Sequence, residues 1–365
     1  MHRLTWLLCL SVLTMLSACQ GQRQAATATV VPQPIITTPT PTTPSPVATP
    51  TLSPTATPTP TPVPTVTPSP SPTPQNPLWA YTIEGLRNRR YPGGTITITR
   101  VLERNAAYTR YAITYPSDGL RITGVMLIPN GSGPFPVVIL NHGYIPPDQY
   151  WSGADTGNEA DYLARRGYLC IVPDFRGWGG SDPGPNYFRT GIVIDVLNLI
   201  SSLPSLPQAD PHRVGLWGHS MGGGLVAKAI TVDSRIKAAV LYGPVSAYDL
   251  DNIQKWGDGL NEASPDPLAQ AYREAARDPM FLRQTSPLFF FHYVTAPVQI
   301  HQGLADTVTP PQWSQAIRDA LLAAGKSVEY YEYPGQGHAF QGTSWLLFMQ
   351  RTTAFFDRYL KGTGS

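Results

Sequence analysis

The chain has 365 residues, a net charge of +2 and three cysteines. A balance this close to neutral, with no basic run or stripe, argues against nucleic acid as a partner. Cys9 falls in a leader and Cys19 at its expected end, so Cys170 stands alone and a large apolar core, not disulfides, has to stabilise the folded part.

Residues 1–19 read as an export signal. His2 and Arg3 form a short polar start, and Leu4 to Leu16 is an apolar run too short to span a bilayer comfortably. Leu16-Ser17-Ala18-Cys19 resembles a lipobox, which predicts cleavage before Cys19 and lipidation of that cysteine. Acyl chains there would hold the protein at a membrane surface of the cell envelope without a transmembrane helix. Residues 20–77 change character: Thr, Pro, Ser, Ala and Val dominate, and Thr-Pro pairs recur. Proline removes backbone donors and favours extended polyproline II, so this stretch builds no core and reads as a disordered spacer, with O-glycosylation an option that such stalks offer.

Residues 78–365, roughly 290 of them, suit one α/β domain. Alternating Thr and Ile over Thr95 to Leu102 predict a half-buried strand. Tyr108 to Tyr115 and Leu120 to Pro129 follow, joined by the turn residues Pro116 to Gly119, and suggest an antiparallel entry. Pro136 to Asn141 is then a continuous apolar run, expected of a strand buried on both faces. Similar runs recur at Leu169–Val172, Val214–Trp217, Ala238–Tyr242, Val298–His301 and Val328–Tyr333. Helical patterns lie between or after them at Asn158–Arg166, Gly191–Leu203, Met221–Val232, Gln312–Ala324 and Trp345–Lys361. Such alternation implies βαβ units, a mostly parallel sheet and helices on both faces. Residues 246–293 break the rhythm with no clear strand, and predict a cap inserted over the cleft. Cys170, inside an apolar run, reads as a small core residue.

Gly218-His219-Ser220-Met221-Gly222 follows one predicted strand and opens a predicted helix. This is the context of a nucleophile elbow, the strained turn of α/β-hydrolases that projects a serine hydroxyl into a cleft. A serine hydroxyl is a poor nucleophile at neutral pH and needs a base, which in turn needs an orienting carboxylate. In this fold the order is Ser, acid, His. Asp306 follows the Val298–His301 strand and His338 follows the last strand, so Ser220, Asp306 and His338 are the expected catalytic residues. Asp249 and Asp251 are the rival acids. Among the other histidines, His142 and His212 are also present, His292 and His301 are expected to be packed, and His219 to point away from the base position. The oxyanion site is expected to use the Met221 N–H together with that of Gly143 or Tyr144, in the loop after Pro136–Asn141. No His-Glu-x-x-His pattern, cysteine pair or dinucleotide fingerprint points to a metal or cofactor.

Taken together, Asn141-His142-Gly143, Pro173 to Ser181, Gly218 to Gly223, Ser286-Pro287-Leu288, Gly303 to Asp306 with Val308-Thr309-Pro310, and Tyr333 to Phe340 resemble the catalytic domain of the prolyl oligopeptidase (S9) family, over about residues 120–360. The resemblance implies a cofactor-free acyl-enzyme on Ser220 and a small ester or peptide substrate. Asp174 and Arg176 are read as a structural pair shaping the cleft wall. The large β-propeller usual in S9 peptidases has no counterpart ahead of the domain, and Gly-His-Ser-Met-Gly-Gly-Gly is equally an esterase spelling. Peptidase and carboxylesterase activity are both expected of this chemistry, and a non-catalytic surface-binding lipoprotein and acyl transfer to an acceptor other than water are the further alternatives.

Overall fold

A computed structural model describes residues 76–257 and 266–362. The expected leader, Cys19 and nearly all of the 20–77 spacer lie outside the described residues, as does part of the 246–293 insertion. Strands β1 (Thr97–Arg104), β2 (Tyr108–Ser117), β3 (Leu120–Pro129), β4 (Phe135–Asn141), β5 (Leu169–Pro173), β6 (Ala209–His219), β7 (Ile236–Tyr242), β8 (Val298–Gly303) and β9 (Val328–Tyr333) form one sheet among these residues. Its order is β1-β2-β3-β5-β4-β6-β7-β8-β9. The first three strands form an antiparallel meander and β3 meets β5 antiparallel. From β5 across to β9 every neighbouring pair is parallel.

The local reasons are visible in the residues. Asp118 and Gly119 both take positive φ, 53° and 79°, so the β2–β3 hairpin closes on two residues, the geometry whose twist matches its strands. Strands β4, β5 and β7 are rich in Val, Ile, Leu and Ala, and they, β8 and the second half of β6 are buried on both faces, which a parallel sheet flanked by helices requires. The half-buried strand expected at 95–102 is corrected. β1 is exposed along its whole length, because it is the sheet edge and two register shifts, at Ile98/Arg100 and Val101/Glu103, break the alternation that would have kept its apolar residues on one face.

The helices are α1 (Ile83–Arg87), α2 (Gly157–Ala164), α3 (Thr190–Ser202), α4 (Met221–Val232), α5 (Asp249–Trp256), α6 (Pro267–Ala275), α7 (Pro279–Thr285), α8 (Pro311–Ala323) and α9 (Gly342–Phe356). They cover both faces. One core joins Ile139, Ile171 and Leu216 to Val196, Val226 and Ile317 of α3, α4 and α8. The other joins Val138, Cys170 and Trp217 to Leu163, Phe348 and Phe356 of α2 and α9. Cys170 is fully buried, and burial pushes its thiol far up, so it is packing rather than chemistry.

The insertion is helical where described. Ile253, Tyr272, Phe281 and Leu282 form a small separate core with Leu78 and Phe188. At the end of α5 it reaches the loop after β8 and the start of α8: Lys255 Nζ donates to the Thr307 carbonyl at 3.2 Å, and the Trp256 and Trp313 rings lie 5.5 Å apart.

Candidate active site

Chain direction places the C-terminal ends of β4, β6, β7, β8 and β9 along one edge of the sheet, where open α/β sheets form their sites. Ser220 sits at the end of β6 with φ 56° and ψ −117°, a conformation an L-residue holds only when its surroundings impose it. Here they do. The Ser220 N–H donates to the Tyr242 carbonyl at 2.9 Å, and the Ser220 carbonyl accepts from Gly224 at 3.1 Å and Val245 at 3.0 Å.

Two glycines make the turn possible. A Cβ on Gly218 would lie 2.2 Å from the Gly222 carbonyl oxygen, and one on Gly222 would lie 2.0 Å from the Asn141 carbonyl oxygen. Strand β4, the elbow and α4 therefore meet backbone to backbone. Gly222→Ala is expected to force these segments apart and cost about 1–3 kcal/mol of stability, read as a lower urea midpoint at unchanged slope.

Asp306 and His338 are brought together. His338 Nδ1 lies 2.8 Å from Asp306 Oδ2. The carboxylate is held in place by further donors: Val308 N–H at 2.8 Å and Thr309 N–H at 2.9 Å on Oδ1, and the Thr309 hydroxyl at 2.7 Å on Oδ2. Burial pushes the Asp306 carboxyl up, but the His338 bond and the Thr309 donors outweigh it and leave it below its ordinary value. Gly243, at positive φ just past β7, lies against the pair: a Cβ there would be 3.4 Å from both Asp306 Oδ2 and His338 Nδ1. The Ser220–Tyr242 bond ties the elbow to the residue before Gly243.

The rival acids are engaged elsewhere. Asp249 Oδ2 accepts from buried Lys228 at 3.2 Å and from Thr285 at 2.7 Å, and Asp251 accepts from Ser246 at 2.5 Å. His301 is buried as expected, bridging the Tyr333 hydroxyl at 2.8 Å and Gln299 at 2.7 Å, and burial drives its basicity well down. His292, expected to be packed, is exposed, because the chain turns outward in a 3-10 turn, Phe291–Tyr293, straight after the apolar run. His142 is buried, with Nδ1 2.7 Å from the Gly143 carbonyl and its ring stacked on Phe175 at 4.5 Å.

In the loop after β4, the Gly143 N–H is already committed, donating to Asp155 Oδ2 at 2.7 Å. Met221 occupies the first turn of α4, where an N–H has no intrahelical carbonyl to meet. The expected Asp174–Arg176 pair is corrected. Arg176 instead pairs with Asp195 on α3, Nη2 to Oδ1 at 2.8 Å, while Asp174 accepts from Tyr150 at 2.9 Å and from Ser152 and Thr123 at 2.6 Å each. Positive φ at the intervening Phe175, 62°, turns the two side chains to different elements.

Asp155 was not found by sequence reasoning. It lies in an irregular loop, 64 positions before its partner His219, and carries neither a periodicity nor a motif that would single it out. The Tyr242 hydroxyl, which receives the Phe340 N–H two residues past His338, was missed because Tyr242 reads only as the last residue of an apolar strand.

A mostly parallel sheet carrying a strained serine elbow, with a His–carboxylate pair at the ends of later strands, defines a serine hydrolase of the α/β-hydrolase fold. The chain belongs to the prolyl oligopeptidase family, whose profile matches residues 154–363. Among solved structures it is similar to acetyl xylan esterase 1 from Thermoanaerobacterium sp. JW/SL YS485, with TM-score 0.57 and 21% identity, covering 78% of this chain and 94% of that one. It is likewise similar to the Pyrococcus horikoshii acylaminoacyl peptidase, with TM-score 0.56 and 23% identity, covering 72% of this chain and 43% of that one. A curated relative is an uncharacterised 31.7 kDa Escherichia coli protein of the traX-finO intergenic region, 30% identical over 125 residues, or 34% of this chain and 42% of the relative. The chain thus matches less than half the length of that relative. The structural likenesses are at the level of fold.

Proposed function

We propose that the protein hydrolyses carboxylic ester or peptide bonds through an acyl-enzyme on Ser220. The observation that carries this is the His338–Asp306 bond at 2.8 Å, with Gly243 against that pair and the strained Ser220 elbow bonded to Tyr242, the residue before Gly243. Ser220 Oγ attacks the substrate carbonyl carbon as its proton passes to His338. Asp306 holds the ring by Nδ1 and stabilises the imidazolium. The oxyanion is received by the Met221 N–H and, because Gly143 is committed to Asp155, by the Tyr144 N–H. His338 then gives its proton to the departing alcohol or amine, and water reverses the sequence to release the acid.

A carboxylesterase is the second reading. The observation favouring it is that the described residues ahead of β4 form a meander extending the same sheet, so the described part holds no separate domain to sieve peptides. The insertion at 246–293, which reaches the Asp306 loop at Thr307, would border the acyl site as the cap. A side-by-side panel of p-nitrophenyl esters and chromogenic peptide amides tests the two. Turnover of both classes supports the broader assignment, ester-only turnover narrows the protein to an esterase, and no turnover of either with no fluorophosphonate labelling rejects both.

We also assign residues 1–19 to an export signal, Cys19 to lipidation and 20–77 to a spacer, with 78–365 as the catalytic domain held at the envelope. The expected result is that Cys19→Ala moves the protein from the membrane fraction to the soluble one. Retention in the membrane fraction would remove Cys19 as the anchor.

A further inference from the structure

His219 stands next to the nucleophile position but turns its ring into the protein. Nδ1 lies 2.9 Å from both carboxylate oxygens of Asp155, and Nε2 lies 3.0 Å from the backbone carbonyl oxygen of His338. A carbonyl only accepts, so Nε2 carries a hydrogen. Asp155 is also an acceptor here: its Oδ2 already receives the Gly143 N–H. Burial pushes its carboxyl up, but the charge and hydrogen bond of His219 outweigh that and hold it well below the ordinary range. Nδ1 must then carry a hydrogen as well. A neutral imidazole has one N–H, and two make it an imidazolium.

The groups around the ring are consistent with a cation. Asp155 faces it from the loop before α2, Glu159 from α2, and the Tyr242 ring of β7 stacks on it at 4.5 Å. The His338 ring lies 4.6 Å away, and His142, just after β4, acts on Asp155. Burial works against the charge on His219, but Asp155, the His338 carbonyl and Glu159 overcome it and raise its basicity.

We propose that His219 is a positioning residue for the reaction, a standing imidazolium that ties together three separate loops: the Ser220 elbow, the oxyanion loop at Gly143 through Asp155, and the His338 loop through its carbonyl. This rests on the triad reading given above. The side chain need not touch substrate. Its bond to the His338 carbonyl fixes the height of that loop over the elbow, and its pairing with Asp155 sets the Gly143 amide, and so the orientation of the next N–H, at Tyr144. The stability contributed by the ion pair is complete between the ordinary carboxylate value near 4 and the ordinary histidine value near 6.5. It is lost on the alkaline side as pH rises through the raised His219 value, and on the acid side as pH falls through the lowered Asp155 value.

Two measurements on the full chain test this. With 15N-labelled histidine, both ring nitrogens of His219, assigned by the signal lost in His219→Phe, are expected to show one-bond N–H couplings that persist as pH rises past the ordinary histidine value near 6.5. A bare ring nitrogen, or titration near pH 6.5, overturns the proposal. In kinetics, His219→Phe keeps an aromatic ring but removes both donors. It is expected to lower kcat about 100-fold, the scale of a small misplacement of reacting groups, with KM changed less than about twofold. His219→Gln, which retains donors, should recover part of the loss. Unchanged kcat in a folded His219→Phe, whatever its melting temperature, would reduce His219 to a packing residue. Should that variant not fold, the ring-nitrogen spectrum of the unaltered protein, with signals assigned from Asp155→Asn, still decides. Absence of fluorophosphonate labelling in the unaltered protein would instead strike at the triad reading, and the two failures are thereby separable.

Discussion

Ser220→Ala is expected to lower kcat by about 10^6-fold and to abolish fluorophosphonate labelling, while thermal stability stays near that of the unaltered protein. The stability expectation follows from the backbone. Alanine keeps a Cβ at φ 56°, so it inherits the same strain and the same bonds to Tyr242, Gly224 and Val245. Glycine behaves differently at this position. It adopts positive φ without steric cost, so Ser220→Gly should be equally inactive but more stable by about 1 kcal/mol, the lower end of what one strained residue stores. Activity surviving in Ser220→Ala would remove the serine from the mechanism. A Ser220→Gly variant that melts below Ser220→Ala would show that the elbow is not strained in solution.

Asp306→Asn is expected to lower kcat by about 10^4-fold with KM little changed. The geometry states why the isosteric change is so costly. Asp306 Oδ1 receives the N–H groups of Val308 and Thr309, and an asparagine must leave its carbonyl oxygen there. Its amide nitrogen then faces His338 Nδ1, a donor where an acceptor stood, and the ring is driven to the tautomer that presents N–H, not a lone pair, toward Ser220. Asp249→Asn serves as the contrast. That carboxylate is tied to buried Lys228 and to Thr285, so its loss should lower stability while leaving kcat within a few-fold. If Asp249→Asn, not Asp306→Asn, stops turnover, the carboxylate assignment is wrong.

How much was readable in advance divides along a physical line. The βα alternation, the bounds of β3 and β9, and the start and end of α4 were legible because burial on both faces and a 3.6-residue period leave a local imprint on the order of residues. The placement of Ser220 was legible for the same reason: a strained turn between strand and helix demands glycines at fixed offsets, here Gly218 and Gly222. Asp306 and His338 could be named because chain direction puts strand ends on one edge, so position along the chain stands in for position in space. Where the imprint is broken the reading failed. Bulges in β1 turned an alternating pattern outward, and an apolar run gave no warning that the chain would expose His292 immediately after it.

The fold class, the elbow and the order of the proposed triad can be read along the chain, since each depends on local periodicity or on a turn with strict steric demands. Which carboxylate serves which partner emerges from the folded arrangement alone. Asp155 with His219, Arg176 with Asp195 and Asp249 with Lys228 are pairs between residues 64, 19 and 21 positions apart. A side-chain hydrogen bond is specified by a few ångströms and an angle, and nothing in the local order of residues encodes a distance across the sheet.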